Sequence, residues 1–131
     1  MPAVFRAGGN IYPASFVKID PTADNQVVQA TAATDKIIGV SQKGTDRAPY
    51  NGLDSNYAAV LGEELLIYQV GETCWITTGG SVTAGDKLVA TTNGAALGGP
   101  TDGQYYGGHA TQTAPANKFI EMMVQPGQQA N

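Results

Sequence analysis

Charge is what this chain has least of. Lys, Arg, Asp and Glu make up only 14% of its 131 residues, against roughly 25% in an ordinary soluble domain. The polar surface must therefore come from Thr, Ser, Asn and Gln. Such a surface suits contact with other proteins, because desolvating a hydroxyl costs much less than desolvating a charge. A secreted β domain has the same signature. The few charges are also unclustered: seven cations stand singly (Arg6, Lys18, Lys36, Lys43, Arg47, Lys87, Lys118) against eleven carboxylates, for a net charge of −4. Phosphate binding by counterion release needs several cations on one surface. Nucleic acid is thus not an expected partner, and a polybasic membrane patch is missing on the same grounds.

Cysteine is nearly absent too. Cys74 alone permits no internal disulfide framework, and beside Trp75 in an apolar stretch it reads as a small buried side chain. A reactive thiol wants a cationic neighbour, whereas the nearest charge is Glu72. No apolar run approaches the roughly 20 residues of a spanning helix. The opening residues, MPAVFRAGGNIYPASF, lack the basic and apolar regions of a signal peptide. The expectation is a protein made in the cytoplasm, soluble there and able to join an assembly.

The usual chemical constellations are missing as well. His109, the only histidine, has neither a nucleophile nor further metal ligands assignable from spacing. Asp20, Asp24, Asp35, Asp46 and Asp54 are scattered loop carboxylates without calcium-loop spacing, and read as turn caps. Glu63 and Glu64 are adjacent, so on a strand they point to opposite faces and cannot converge on one substrate. The glycines lack the lysine and following helix of a phosphate loop. No enzyme activity, cofactor or metal is expected.

What the chain does have is glycine, 17 residues of it, set between short alternating runs. Residues 69–97, QVGETCWITTGGSVTAGDKLVATTNGAAL, carry β-branched and aromatic side chains cut by Gly79-Gly80, Gly85-Asp86 and Asn93-Gly94. These are strand–turn–strand signals, Asn-Gly above all, since a type I′ turn needs positive φ at both central residues. Strands are expected at 16–19, 27–30, 36–41, 57–61, 64–70 and 118–124 in addition, with ELLIYQV, the strongest apolar run, placed centrally. Seven to nine short strands at spacings of roughly 8–12 residues predict an all-β sandwich or small barrel. Residues 44–56 read as a loop, the section around Tyr105-Tyr106 as a loop or irregular hairpin, and 110–116 (ATQTAPA) as the one candidate helical turn.

Residues 1–15 lack periodicity and read as an extended N-terminal arm, 16–126 as a single β domain and 127–131 as a flexible tail. Large apolar groups on a terminus are unfavourable unless they dock, either on another chain or on the protein's own core. Phe5, Ile11 and Tyr12 are the expected anchors, with Arg6 a candidate partner for a carboxylate. Tyr50, Tyr105 and Tyr106 are candidate loop contacts, since tyrosine buries area while keeping a polar handle.

The pattern resembles the small capsid decoration (cement) proteins of tailed bacteriophages. The resemblance rests on Ile38-Gly39-Val40, on Val70-Gly71 through Trp75-Ile76, and on Gly80, Val82, Gly85, Asp86 and Leu88. It continues through the Ala-rich stretch 110–116 and the closing segment 120–126, spanning roughly residues 11–126. It departs at the 44–56 loop and the 98–108 insertion. It implies a β-barrel or tulip-like domain that forms a homotrimer on the outer surface of the virion head. There it would bind the major capsid protein and stabilise the expanded shell, with Phe5, Arg6, Ile11 and Tyr12 reaching over neighbouring subunits. Two other readings remain open. One is a carbohydrate-binding or adhesive module, such as a head-fibre base, with the three tyrosines as platform. The other is a lipoyl- or biotinyl-type carrier domain, for which Lys87 is poorly placed.

Overall fold

The computed structural model describes residues 3–42, 58–91, 94–101 and 103–129, and these form strands and turns without a helix. The all-β expectation holds. Among the described residues, ten strands make two sheets. β1 (Ala3–Ala7), β2 (Phe16–Ile19), β3 (Gln26–Gln29), β4 (Ile37–Ser41) and β5 (Glu64–Tyr68) close into a barrel in the order β1-β3-β2-β4-β5. β6 (Thr73–Thr77), β7 (Lys87–Ala90), β8 (Ala96–Gly98), β9 (Tyr105–Ala110) and β10 (Phe119–Gln128) form a sheet in the order β6-β10-β9-β7-β8. A parallel bridge from Thr78 to Ala96 ties its two outer strands together.

Two cores follow from this arrangement. Ala7, Ile11, Val17, Val27, Ala58, Ala59, Leu65 and Ile67 fill the barrel. A second core lies between the barrel and the sheet, where Phe16, Ala30, Ile37 and Val40 meet Cys74, Ile76, Leu88, Ile120, Met122 and Val124. Side chains alternate across a strand. Phe16 therefore faces the sheet while Val17 faces the barrel interior, and β2 and β4 serve both cores. Their near-continuous apolar runs, FVKI and IIGVS, reflect cover on both faces.

Close approach of the two layers depends on β9. A Cβ on Gly107 would overlap the Phe16 ring and meet Ile37 Cγ2 at 3.0 Å, so only glycine lets this strand lie against the barrel wall. The β7–β8 turn is not the expected two-residue Asn-Gly type: Ala90 pairs with Ala96, and Gly94, at φ +72°, is the last of three residues between Thr91 and Ala95, the left-handed position of a three-residue hairpin loop. Thr91 N–H donates to the Ala95 carbonyl at 3.0 Å and Gly94 N–H to that of Thr91 at 2.9 Å. Asp20 and Asp35 cap turns as read from the sequence. Asp20 accepts from the Thr22 N–H (3.0 Å), the Thr22 hydroxyl (2.7 Å) and the Gln26 amide (2.7 Å).

Several sequence expectations give way to packing. The N-terminal segment is no arm from Ala3 onward, because β1 is a barrel stave, antiparallel to β5 and parallel to β3. The section around Tyr105-Tyr106, read as a loop or irregular hairpin, is the regular strand β9 between β7 and β10, its glycines recruited for sheet contact. Residues 110–116 form no helical turn: Ala114 bridges Val82, and the Gln112 side chain accepts from Glu121 N–H at 3.0 Å. β10 runs on to Gln128, so the first residues of the expected tail belong to the sheet, with Pro126 at a bulge where the ladder loses register. β5 has an exposed outer face because a barrel covers only one side of each stave. Within 57–61 the described residues carry one bridge, Ala59 to Ile11, instead of a strand. The 44–56 loop lies outside the described residues.

Candidate interaction surface

The four expected anchors separate on folding. Ile11 is fully buried in the barrel core, its N–H donating to the Ala59 carbonyl at 2.9 Å, so it cannot meet a partner. Phe5 is half-buried and packs against the same core. Alternation along β1 turns Val4 and Arg6 outward instead. Val4 lies opposite Leu66 and Arg6 opposite Glu64 on the outer barrel wall, and all four are exposed. Arg6 lines a hollow of about 320 Å³ with Val4, Phe5, Asp24, Asn25 and Glu64. Among the described residues it makes no ion pair. Tyr12 is 40% exposed, and its N–H donates to Gln29 Oε1 at 2.7 Å. Of the four, Arg6 and Tyr12 are presented to solvent.

Tyr105 and Tyr106 have separate surroundings. Tyr105 and Tyr106 are consecutive on β9, and each is covered by a different lysine. Lys36 Nζ sits 5.8 Å from the Tyr105 ring centroid and Lys87 Nζ 4.9 Å from that of Tyr106. The His109 ring lies 6.0 Å from Tyr106. Tyr50 lies outside the described residues. Cys74 is buried, and burial with the nearby Glu72 carboxylate pushes its thiol up to about 12, far from the thiolate that nucleophilic chemistry needs.

A surface that the sequence reading passed over is the outer face of the second sheet. Trp75, Phe119 and Met123 are 39%, 49% and 45% exposed there. Trp75 sits opposite Glu121 on β10, so Phe119 and Met123 are its two diagonal neighbours, within reach of long side chains. The signal was present in TCWIT: once Cys74 and Ile76 point inward, Trp75 must point out. A row of Lys87, His109, Met123 and Thr73 crosses four strands beside it. This face offers flat apolar area with few charges, the composition of a protein contact core.

No family model matches the chain, and no curated protein matches it in sequence. Among solved structures it is similar to the N base of head fibre gp8.5 of bacteriophage phi29. The TM-score is 0.65 at 15% sequence identity, over 95% of this chain and 93% of that one. At this identity the likeness is one of fold, and it covers barrel and second sheet together.

Proposed function

We propose that this protein is a structural component of a bacteriophage head. The observation that carries this reading is the shared fold with the phi29 head-fibre N base, extending over nearly the whole of both chains. The reading extends to a capsid decoration protein: a homotrimer on the outer head surface that bridges major capsid subunits and stabilises the expanded shell. Exposed Arg6, Tyr12, Val4 and Leu66 on the barrel, with Trp75, Phe119 and Met123 on the sheet, supply separate contact patches on one rigid body. A protein with several patches, repeated three times, gains affinity through multivalency without new chemistry. The role is adhesive rather than catalytic.

The name of the structural neighbour favours a second reading, in which the domain is the base by which a head fibre attaches. Both readings place it on the virion and differ in whether further protein is carried outward. The test is sedimentation of purified protein with expanded and unexpanded empty heads of its phage, together with labelled-antibody microscopy of virions. Saturable binding to expanded heads and label around the head surface support decoration. Label displaced outward on fibres supports the second reading. Absence from the virion overturns both.

A further inference from the structure

The end of the barrel at the β2–β3 turn holds an apolar groove of about 510 Å³, lined by Ile19, Pro21 and Ile38 and flanked by Lys18 and Lys36. Ile19 ends β2 and is 48% exposed, a large apolar side chain left in water beside two ammonium groups. Leu61, 71% exposed, stands at the same end: Gly62 N–H donates to the Ala7 carbonyl at 2.8 Å, Ala7 pairs with Val27, and Val27 with Ile19. Exposed apolar area gathered in one place marks an interaction site.

The walls of the groove are fixed before anything binds. Pro21 sits in a turn closed by Asp20, whose carboxylate takes the Thr22 and Gln26 donors and whose N–H donates to the Gln26 carbonyl at 2.9 Å. Lys36 follows a second turn, closed by Asp35 through Thr31 N–H and Ala32 N–H. That turn is tied to β9 by Tyr105 N–H, which donates to the Ala33 carbonyl at 2.9 Å. A groove held this way loses little conformational entropy on docking.

Charge selects the occupant. Asp20 is spent on its own turn, and Asp35 neutralises Lys18 at 3.0 Å. Lys36 has no carboxylate partner among the described residues and rests over the Tyr105 ring. The groove thus presents aliphatic surface beside one uncompensated cation, on a chain whose net charge is −4. Its complement is an aliphatic side chain with one carboxylate beside it. In an extended segment, residues two apart face the same side, so an aliphatic residue and an Asp or Glu two positions away enter together.

We propose that the groove binds an extended segment of the head protein in which an aliphatic and an acidic residue stand two apart, the aliphatic chain lying between Ile19 and Ile38 and the carboxylate meeting Lys36. The inference rests on the head reading above, for which it names the chemistry of one contact. Overlapping short peptides covering the major head protein of its phage, labelled with fluorescein, are titrated with the full chain by anisotropy. The same protein variants are co-sedimented with expanded heads. Peptides carrying the aliphatic–x–acid pattern bind. Ile19→Asp weakens them about thirtyfold or more and Lys36→Glu about fivefold, while Lys118→Glu, the same charge change beside β10, leaves them unchanged. A bound peptide remade with Lys in place of its acid prefers Lys36→Glu to the wild type, which a merely unfolded variant cannot do. A wild type that binds neither heads nor any peptide overturns the head reading and the groove contact with it. Head binding that survives Ile19→Asp and Lys36→Glu unchanged overturns the groove contact alone. Self-association lost in either variant assigns the groove to a second copy, and peptide binding indifferent to the acid assigns it to apolar segments at large; each overturns the proposal.

Discussion

The wall of β2 and β4 and the outer face of β6 and β10 are built from similar residues and end in different environments. In FVKI and IIGVS, neighbouring apolar side chains go to opposite sides and both sides are covered, by the barrel interior and by the second sheet. In TCWIT and the first half of β10, Cys74, Ile76, Ile120 and Met122 are covered, while Trp75, Phe119 and Met123 face outward. Apolar area left in water forfeits roughly 25 cal/mol per Å². A folded chain that keeps such area on one flat face holds contact energy in reserve for association. The first wall spends its side chains on stability, and the second leaves apolar area at the surface.

Phe16 carries the largest expected effect, since it is fully buried where the two layers meet. Phe16→Ala should cost about 3–5 kcal/mol in urea unfolding. It should also accelerate labelling of Cys74, whose thiol is protected only while the sheet stays packed. Loss of no more than 1 kcal/mol would mean that the barrel wall is not a shared one. Next is Gly107→Val, which forces a side chain into the Phe16 ring and should destabilise by about 1–3 kcal/mol. The double variant Phe16→Ala/Gly107→Val should cost less than the sum of the singles, because the deletion makes room for the insertion.

A smaller effect belongs to Asp35, which accepts from Thr31 N–H at 2.9 Å, Ala32 N–H at 3.2 Å and Lys18 at 3.0 Å. Although burial opposes it, these bonds hold its carboxyl below the ordinary value of 3.8. A depressed folded pKa stabilises above the unfolded pKa, and the gain is lost as pH falls through the folded pKa. Asp35→Asn should therefore be less stable than wild type at pH 6–7, with the gap narrowing below about pH 4. A gap unchanged down to pH 2 would show that the carboxylate's charge is not involved. Smallest in stability is Trp75→Ala, expected to change unfolding by about 0.5 kcal/mol or less. Its effect should fall on head binding instead, measured by co-sedimentation. A large loss of stability with unchanged binding would erase the contrast between the two faces.

The strands at 16–19, 64–68 and 87–90 were legible because alternation and turn residues agree there. The place of the Gly94 turn was legible too, though its three-residue length was not. β1 was hidden, since AVFRA shows no clean alternation of apolar and polar residues, and its partners β3 and β5 lie some 20 and 60 residues further along. β9 was hidden because Tyr-Tyr-Gly-Gly reads locally as a loop. Its glycines are chosen for the space that Phe16 and Met122 need. Of the expected surface residues, Arg6 and Tyr12 are exposed and Ile11 is not. Whether a residue on an irregular segment faces in or out depends on pairing that no local pattern contains.

By itself, the sequence determined the all-β class, most strand positions and the scarcity of charge. These follow from side-chain period, turn chemistry and composition, all short-range properties of the chain. Only the tertiary structure decided that residues 3–7 close a barrel, that β2 and β4 separate two cores, and that Trp75, Phe119, Met123 and Leu61 are left outside. Those outcomes depend on which distant segments pair and on which face a second layer covers. They are set by the burial of the whole chain and not by any stretch of it.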